Sequence, residues 1–156
     1  MHERFRVFTE DLHPKFEALM AQEPVVTGIL PPEFTGSGIY MFSEAGESLY
    51  VGRTRDVRKR YRQHIRRSSG HNSAPFAFKL ARYATGRVKA YYRPGEGSRA
   101  GLLLDPEFAA AFSEALERIR RMGFRFVSEP DPTRQCLLEV YVSVVCGSPY
   151  NDFNTS

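Results

Sequence analysis

Cysteine is scarce: two occur in 156 residues, Cys136 and Cys146. Both fall in one predicted helix, where ten residues of rise separate them by about 15 Å, too far for a disulfide. Their spacing matches no zinc pattern, so the expectation is two buried apolar thiols in a reducing compartment. Long apolar runs are missing too. No stretch approaches the roughly 20 residues that span a bilayer, and residues 1–22 are laced with charges where a secretory leader would be apolar. A cytoplasmic chain with no membrane partner is expected. Internal repeats and low-complexity tracts are also absent, which argues against a solenoid or an array.

What remains is ordinary globular material. The chain is 42% hydrophobic, 13% aromatic and 26% charged, enough for a packed core and too apolar for disorder. Its length suits a single core, so effectively one domain is expected. Acidic residues are nearly missing from one place: residues 53–67 hold seven Arg and one Lys against a single Asp. That is a local +7 in a chain of net +4, which leaves the rest at −3. Clustered Arg is the electrostatic footprint of a phosphate-bearing partner. A solvated helix face is the plainer reading of such a run taken alone.

Phe5, Phe8, Leu12, Phe16 and Leu19 recur at helical spacing, so residues 3–21 read as an amphipathic helix, breakable near Pro14, that packs on the core. A Pro/Gly-rich connector follows over 23–37. Residues 38–42 and 48–52 then flank a polar turn, a β-hairpin pattern. Pairing Phe42 with Ser48 would set Tyr40 opposite Tyr50 on one face and turn Ile39, Met41, Leu49 and Val51 to the core. Two phenols on the face away from an aliphatic row are free for work other than packing, although tyrosine pairs on sheets are also common as structure.

Asp56 is a good N-cap for a helix to about Arg67, on which Arg60 and His64 share a face beside the apolar stripe Val57, Tyr61 and Ile65. Arg55, Arg58, Lys59, Arg62 and Arg66 radiate from it and could reach phosphates, with His71 and Asn72 in the next loop as weaker candidates. Pro75 and Gly86 bracket a second helix. A short strand over 88–93 and a loop over 95–101 come next. Phe108, Phe112, Ala115, Leu116 and Ile119 mark a third helix opened by Asp105 and Pro106, and 124–128 alternates as a strand. Asp131 and Pro132 open a last helix that is apolar nearly all round over 136–146, with Glu139 its only charge. A lone acid there costs several kcal/mol unless paired, hydrogen-bonded or metal-bound. A salt bridge to an Arg of the basic helix and a metal site are both open.

Gly38-Ile39-Tyr40, then Tyr50-Val51-Gly52-Arg53-Thr54, then Arg60, His64, Glu139 and Asn151, together resemble the GIY-YIG nuclease superfamily over about residues 37–154. Val51 stands where Ile is commoner. The resemblance implies an α+β fold: a central three-stranded antiparallel sheet flanked by helices, with residues 1–36 as an N-terminal helix and connector and residues 37–156 as the nuclease domain. A helical insertion of no evident role would span about 88–123.

It also implies a metal-dependent endonuclease cutting double-stranded or branched DNA, free-standing and single-domain, with Tyr40, Tyr50, Arg60, His64, Glu139 and Asn151 as catalytic residues. Asn154 is the weaker alternative to Asn151. Glu139 would hold one divalent ion, Mg²⁺ or Mn²⁺, since a single carboxylate fits one hydrated ion better than a two-metal clamp. Arg60 would bind the scissile phosphate, with Tyr50 donating to it and Arg53 touching phosphate nearby. Tyr40 would face the attacking water. Either Tyr40, lowered by Arg60 and the ion, or His64 would take the proton. Asn151 would orient Glu139 or the local backbone. A catalytically inactive nucleic-acid-binding module of the same fold is the main rival, and a protein-interaction domain is another. Cutting both strands would take a homodimer or two successive nicks.

Overall fold

The computed structural model describes residues 1–87 and 98–153. The strand expected over 88–93 and the alternative amide Asn154 therefore lie outside the described residues. The described part falls into two compact units, Met1–Arg60 with Met122–Ser156, and Tyr61–Arg121.

The first unit is built on a hairpin. Strands β1 (Gly38–Glu44) and β2 (Glu47–Thr54) pair antiparallel, and β3 (Gly123–Ser128) pairs antiparallel with the other side of β1, giving the order β2-β1-β3. The turn is tighter than the sequence suggested. Only Ala45 and Gly46 link the strands, both at positive φ (52° and 80°), as the right-handed twist of a two-residue hairpin favours. A bulge then skips Leu49, so Phe42 pairs with Tyr50 and Tyr40 with Gly52. The expected pairing of Tyr40 with Tyr50 is thereby corrected. The offset is two residues, and because side chains alternate with period two, each residue keeps its predicted face.

On one face, Ile39, Met41 and Val51 pack with Leu19, Leu138 and Val142, with Leu12, Phe16, Val127 and Cys146 around them. Leu19 comes from α2 (Leu12–Ala21), and Leu138 and Val142 from α7 (Pro132–Cys146). The N-terminal segment is two helices rather than one: α1 (Glu3–Thr9) buries none of its residues, and the break lies before Pro14, which sits in the first turn of α2. Proline is tolerated there because first-turn N–H groups have no partner inside the helix. The opposite face of the sheet is aromatic. Phe34, Tyr40, Phe42, Phe124 and Phe126 are all buried, with rings 5.0 to 5.9 Å apart for Phe42–Phe124, Phe34–Phe126, Tyr40–Phe124 and Tyr40–Phe42. This layering is the α+β arrangement expected, a three-stranded antiparallel sheet flanked by helices.

Both sheet edges are covered. Val25 of the connector exchanges two backbone hydrogen bonds with Phe124, each 2.9 Å. At the far edge, α7 stops at Gly147, whose left-handed φ of 63° turns the chain back along β2. There Ser148 bonds Ser48 at 2.6 Å, and the Tyr150 amide donates to the Leu49 carbonyl at 3.2 Å.

Helix α7 departs from its expected all-round burial: Val140, Val144 and Val145 are exposed, and of the two thiols expected to be buried, Cys136 is exposed and Cys146 partly covered. A helix lying on a sheet buries one side, whatever the chemistry of the other. Helix α3 (Val57–Ile65) starts in the first unit and ends in the second. Asp56 caps it as expected, its carboxylate accepting from the Lys59 amide at 3.1 Å.

In the second unit, α4 (Pro75–Thr85) packs on α6 (Pro106–Arg120) through Phe78, whose ring lies 5.1 Å from Phe108 and 6.2 Å from Phe112. All five predicted core residues of α6 are buried. Of the loop expected over 95–101, residues 95–97 lie outside the described residues, and 99–101 instead open α5 (Arg99–Leu104), capped by Ser98, which accepts from the Gly101 amide at 3.0 Å. Among the described residues, no helix is long and apolar enough to cross a membrane.

Candidate active site

Tyr40 stands on the central strand with its ring under the aromatic face, 1% exposed. The expectation that this phenol faces water is therefore corrected: its ring stacks on Phe124 at 5.8 Å, and the Nε of Arg60 donates to its hydroxyl at 3.2 Å. Arg60 reaches it from α3, whose start is tied to the connector where the Val57 amide donates to Gly36 at 3.0 Å. Tyr50, two residues along the face on β2, has its ring 6.4 Å from that of Tyr40. Tyr50 is half-buried and hydrogen-bonds with both Tyr40 and Arg60.

Two glycines leave room for this packing. A Cβ on Gly52 would lie 2.3 Å from the Tyr40 hydroxyl, and one on Gly38 would lie 2.0 Å from the Val127 carbonyl of β3. The first glycine lets the tyrosine lie flat across its neighbour, and the second lets the strands close.

Burial dominates the electrostatics. It pushes the Tyr40 phenol well above its ordinary value, reinforced by Tyr50 and opposed by Arg60. Burial likewise raises Tyr50, with the Arg60 charge opposing and Glu139 adding to the rise. Burial therefore outweighs Arg60 at Tyr40. Both phenols are hydrogen-bond donors at neutral pH.

Glu139 projects from α7 with its side chain 20% exposed, and its charge acts on both tyrosines. Burial raises its carboxyl, and Arg53 pulls it down. The ion pair is Arg53 Nε to Glu139 Oε2 at 3.4 Å. Its partner comes from β2 and not from the basic helix, as the salt-bridge alternative supposed. Strand alternation carried that signal: Arg53 pairs with Ile39, so it leaves the sheet on the aliphatic face where α7 packs.

Asn151 clamps the edge of β2. Its Oδ1 accepts from the Val51 amide at 2.8 Å, and its Nδ2 donates to the Val51 carbonyl at 2.7 Å. Of its two expected tasks it performs the second, holding the backbone between Tyr50 and Gly52. Ser148, which the sequence did not single out, pins the same edge. His64 lies one turn beyond Arg60 in α3 and is fully buried.

Residues 36–92 match the GIY-YIG catalytic domain. Over that stretch, about a third of the chain, the sequence is similar to the GIY-YIG superfamily. That superfamily is one of nucleases, generally metal-dependent DNA endonucleases that use divalent ions. No curated protein and no solved structure matches the chain. The matched stretch takes in Tyr40, Tyr50, Arg60 and His64 but stops short of Glu139 and Asn151. The placement of those two residues rests on the geometry just described.

The basic residues are not all alike. Arg55, Lys59, Arg62 and Arg66 are exposed, as is Asn72. Arg58 departs from the phosphate-facing expectation: its guanidinium donates to the carbonyls of Pro31 at 2.8 Å, Phe34 at 2.9 Å and Leu30 at 3.3 Å. Arg67 pairs with Glu117 at 2.7 Å, and the His71 ring rests 6.2 Å from Phe78.

Proposed function

We propose that this chain is a metal-dependent endonuclease that hydrolyses phosphodiester bonds in DNA, with Arg60 as the group that stabilises the charge developing on the scissile phosphate. The observation that carries this reading is the hydrogen-bonded set of Arg60, Tyr40 and Tyr50 within reach of the Glu139 charge. A planar guanidinium offers five donors. With Nε held by buried Tyr40, the remaining donors are pre-aimed, and pre-aimed donors need little reorganisation when charge develops.

Tyr40 acts in this reading as the rigid post for Arg60. Tyr50, nearer the solvent, donates to the phosphate. Asn151 keeps Tyr50 in place through the Val51 backbone. The proton of the attacking water leaves in this reading by one of two routes, through Tyr40 once a bound ion lowers its phenol or onward through His64, one turn beyond Arg60. Arg53, Arg55, Lys59, Arg62 and Arg66 meet the DNA backbone, His71 and Asn72 border it, and Arg58 is left out because the connector occupies it.

Glu139 fits a hard, hydrated cation. It is an oxygen donor, part-exposed, and among the described residues no three of His, Cys, Asp and Glu gather into a closed cage. A Mg²⁺ or Mn²⁺ ion held there would stabilise negative charge on the leaving oxygen.

The test is a plasmid-relaxation assay. Wild-type protein should nick supercoiled DNA with Mg²⁺ and stop when EDTA is added, while Arg60→Ala loses orders of magnitude in turnover and still binds DNA. Equal cleavage by Arg60→Ala would remove that guanidinium from the transition state. A gel shift with no relaxation under any divalent ion would establish the inactive binding module instead.

A further inference from the structure

Resting on the reading of Glu139 as the metal ligand, we propose that Arg53 is an electrostatic stand-in for the ion: in the free protein its guanidinium neutralises Glu139, and a phosphate of the arriving strand draws it off. Ion binding and strand binding are then coupled through one side chain.

Three features support this. The contact is single and loose, Nε to Oε2 at 3.4 Å, beyond the usual hydrogen-bond range and short of the bidentate fork that makes Arg–carboxylate pairs rigid. The Arg53 side chain is 50% exposed while that of Glu139 is 20% exposed, so the cation is the partner more open to solvent and to a second anion. Arg53 is also exposed itself and lies two residues before exposed Arg55, so a phosphate backbone met by Arg55 would run close to it.

A part-buried acid left uncompensated carries a desolvation cost, and one released by its partner gains by taking another cation. Phosphate competes well for a guanidinium because it offers several charged acceptors at once. Linkage then requires that whatever DNA does for the ion, the ion does equally for DNA.

The experiment titrates Mn²⁺, followed by the paramagnetic resonance of the free ion, against wild-type protein, Arg53→Gln, Arg53→Lys, Arg55→Gln and Glu139→Gln. Each is measured alone and with a short phosphorothioate duplex, and ion bound by duplex alone is subtracted. Arg53→Gln should bind Mn²⁺ about 2- to 10-fold more tightly than wild type in the absence of duplex. Arg53→Lys should stay near wild type. Arg55→Gln, which removes the same charge from a neighbouring exposed position, should change affinity by less than about 2-fold. Duplex should tighten Mn²⁺ binding in wild type, and this gain should shrink in Arg53→Gln. Unchanged or weaker Mn²⁺ binding in Arg53→Gln overturns the gate, as does an equal response in Arg55→Gln. Undiminished binding by Glu139→Gln overturns the metal assignment beneath it, an outcome readable separately.

Discussion

A methyl group on Gly52 would stand 2.3 Å from the Tyr40 hydroxyl, and Tyr40 cannot retreat because Phe42 and Phe124 pack its ring. Gly52→Ala should therefore push Tyr40 off Arg60. A loss of about 1–3 kcal/mol of stability is expected from forced overpacking, read by urea denaturation, together with a fall in turnover larger than the fall in DNA affinity. Full turnover in a folded Gly52→Ala protein would show that the post is dispensable. Glu139 provides a pH test. Burial raises its carboxyl despite Arg53, so the folded state holds the proton more tightly than the unfolded chain. Its favourable contribution is complete below the ordinary carboxylate value and is lost as pH rises through the folded one, leaving a cost at pH 7. Glu139→Gln should raise the thermal midpoint of the metal-free protein at pH 7, and the gain should fade below about pH 4. A lower midpoint at pH 7 would contradict that sign.

At the scale of the element, helix α3 divides its cations between two tasks. Arg58 spends its guanidinium on three carbonyls of the connector, whereas Lys59, next to it, is exposed. Hydrogen bonds from charged groups are worth about 1.5–3 kcal/mol each at most, and these are part-buried. Arg58→Met should thus cost about 1–3 kcal/mol of stability and leave the salt dependence of DNA binding unchanged. Lys59→Ala should do the reverse: little change in stability, and a salt slope shallower by about 1. Equal slopes for the two variants would mean that the tie to the connector opens on DNA. The hairpin gives the same lesson about local detail. Its strands were legible from alternation, but the bulge at Leu49 was not, because a single extra residue leaves the period of each flanking segment intact.

For the whole molecule, one constellation of Arg60, Tyr40, Tyr50 and Glu139 is present per chain among the described residues, and under the proposed function one such set would open one strand at a time. Supercoiled plasmid should give nicked circles first and linear DNA later, with rates of first order in protein. Linear product without a nicked intermediate, rising with the square of protein concentration, would point to paired protomers acting together. Much of this protein was readable before its coordinates. Helix α4 and its Gly86 cap, the buried stripe of α6, the faces of the hairpin and the two tyrosines follow from period, capping and alternation, all of which are local rules that neighbouring residues obey on their own. Tertiary structure alone decided that Tyr40 is buried, that Asn151 clamps Val51, and that one side of α7 stays exposed. Each of those depends on which segments distant in the chain come to rest against one another, and the composition of a segment does not encode the identity of its neighbour.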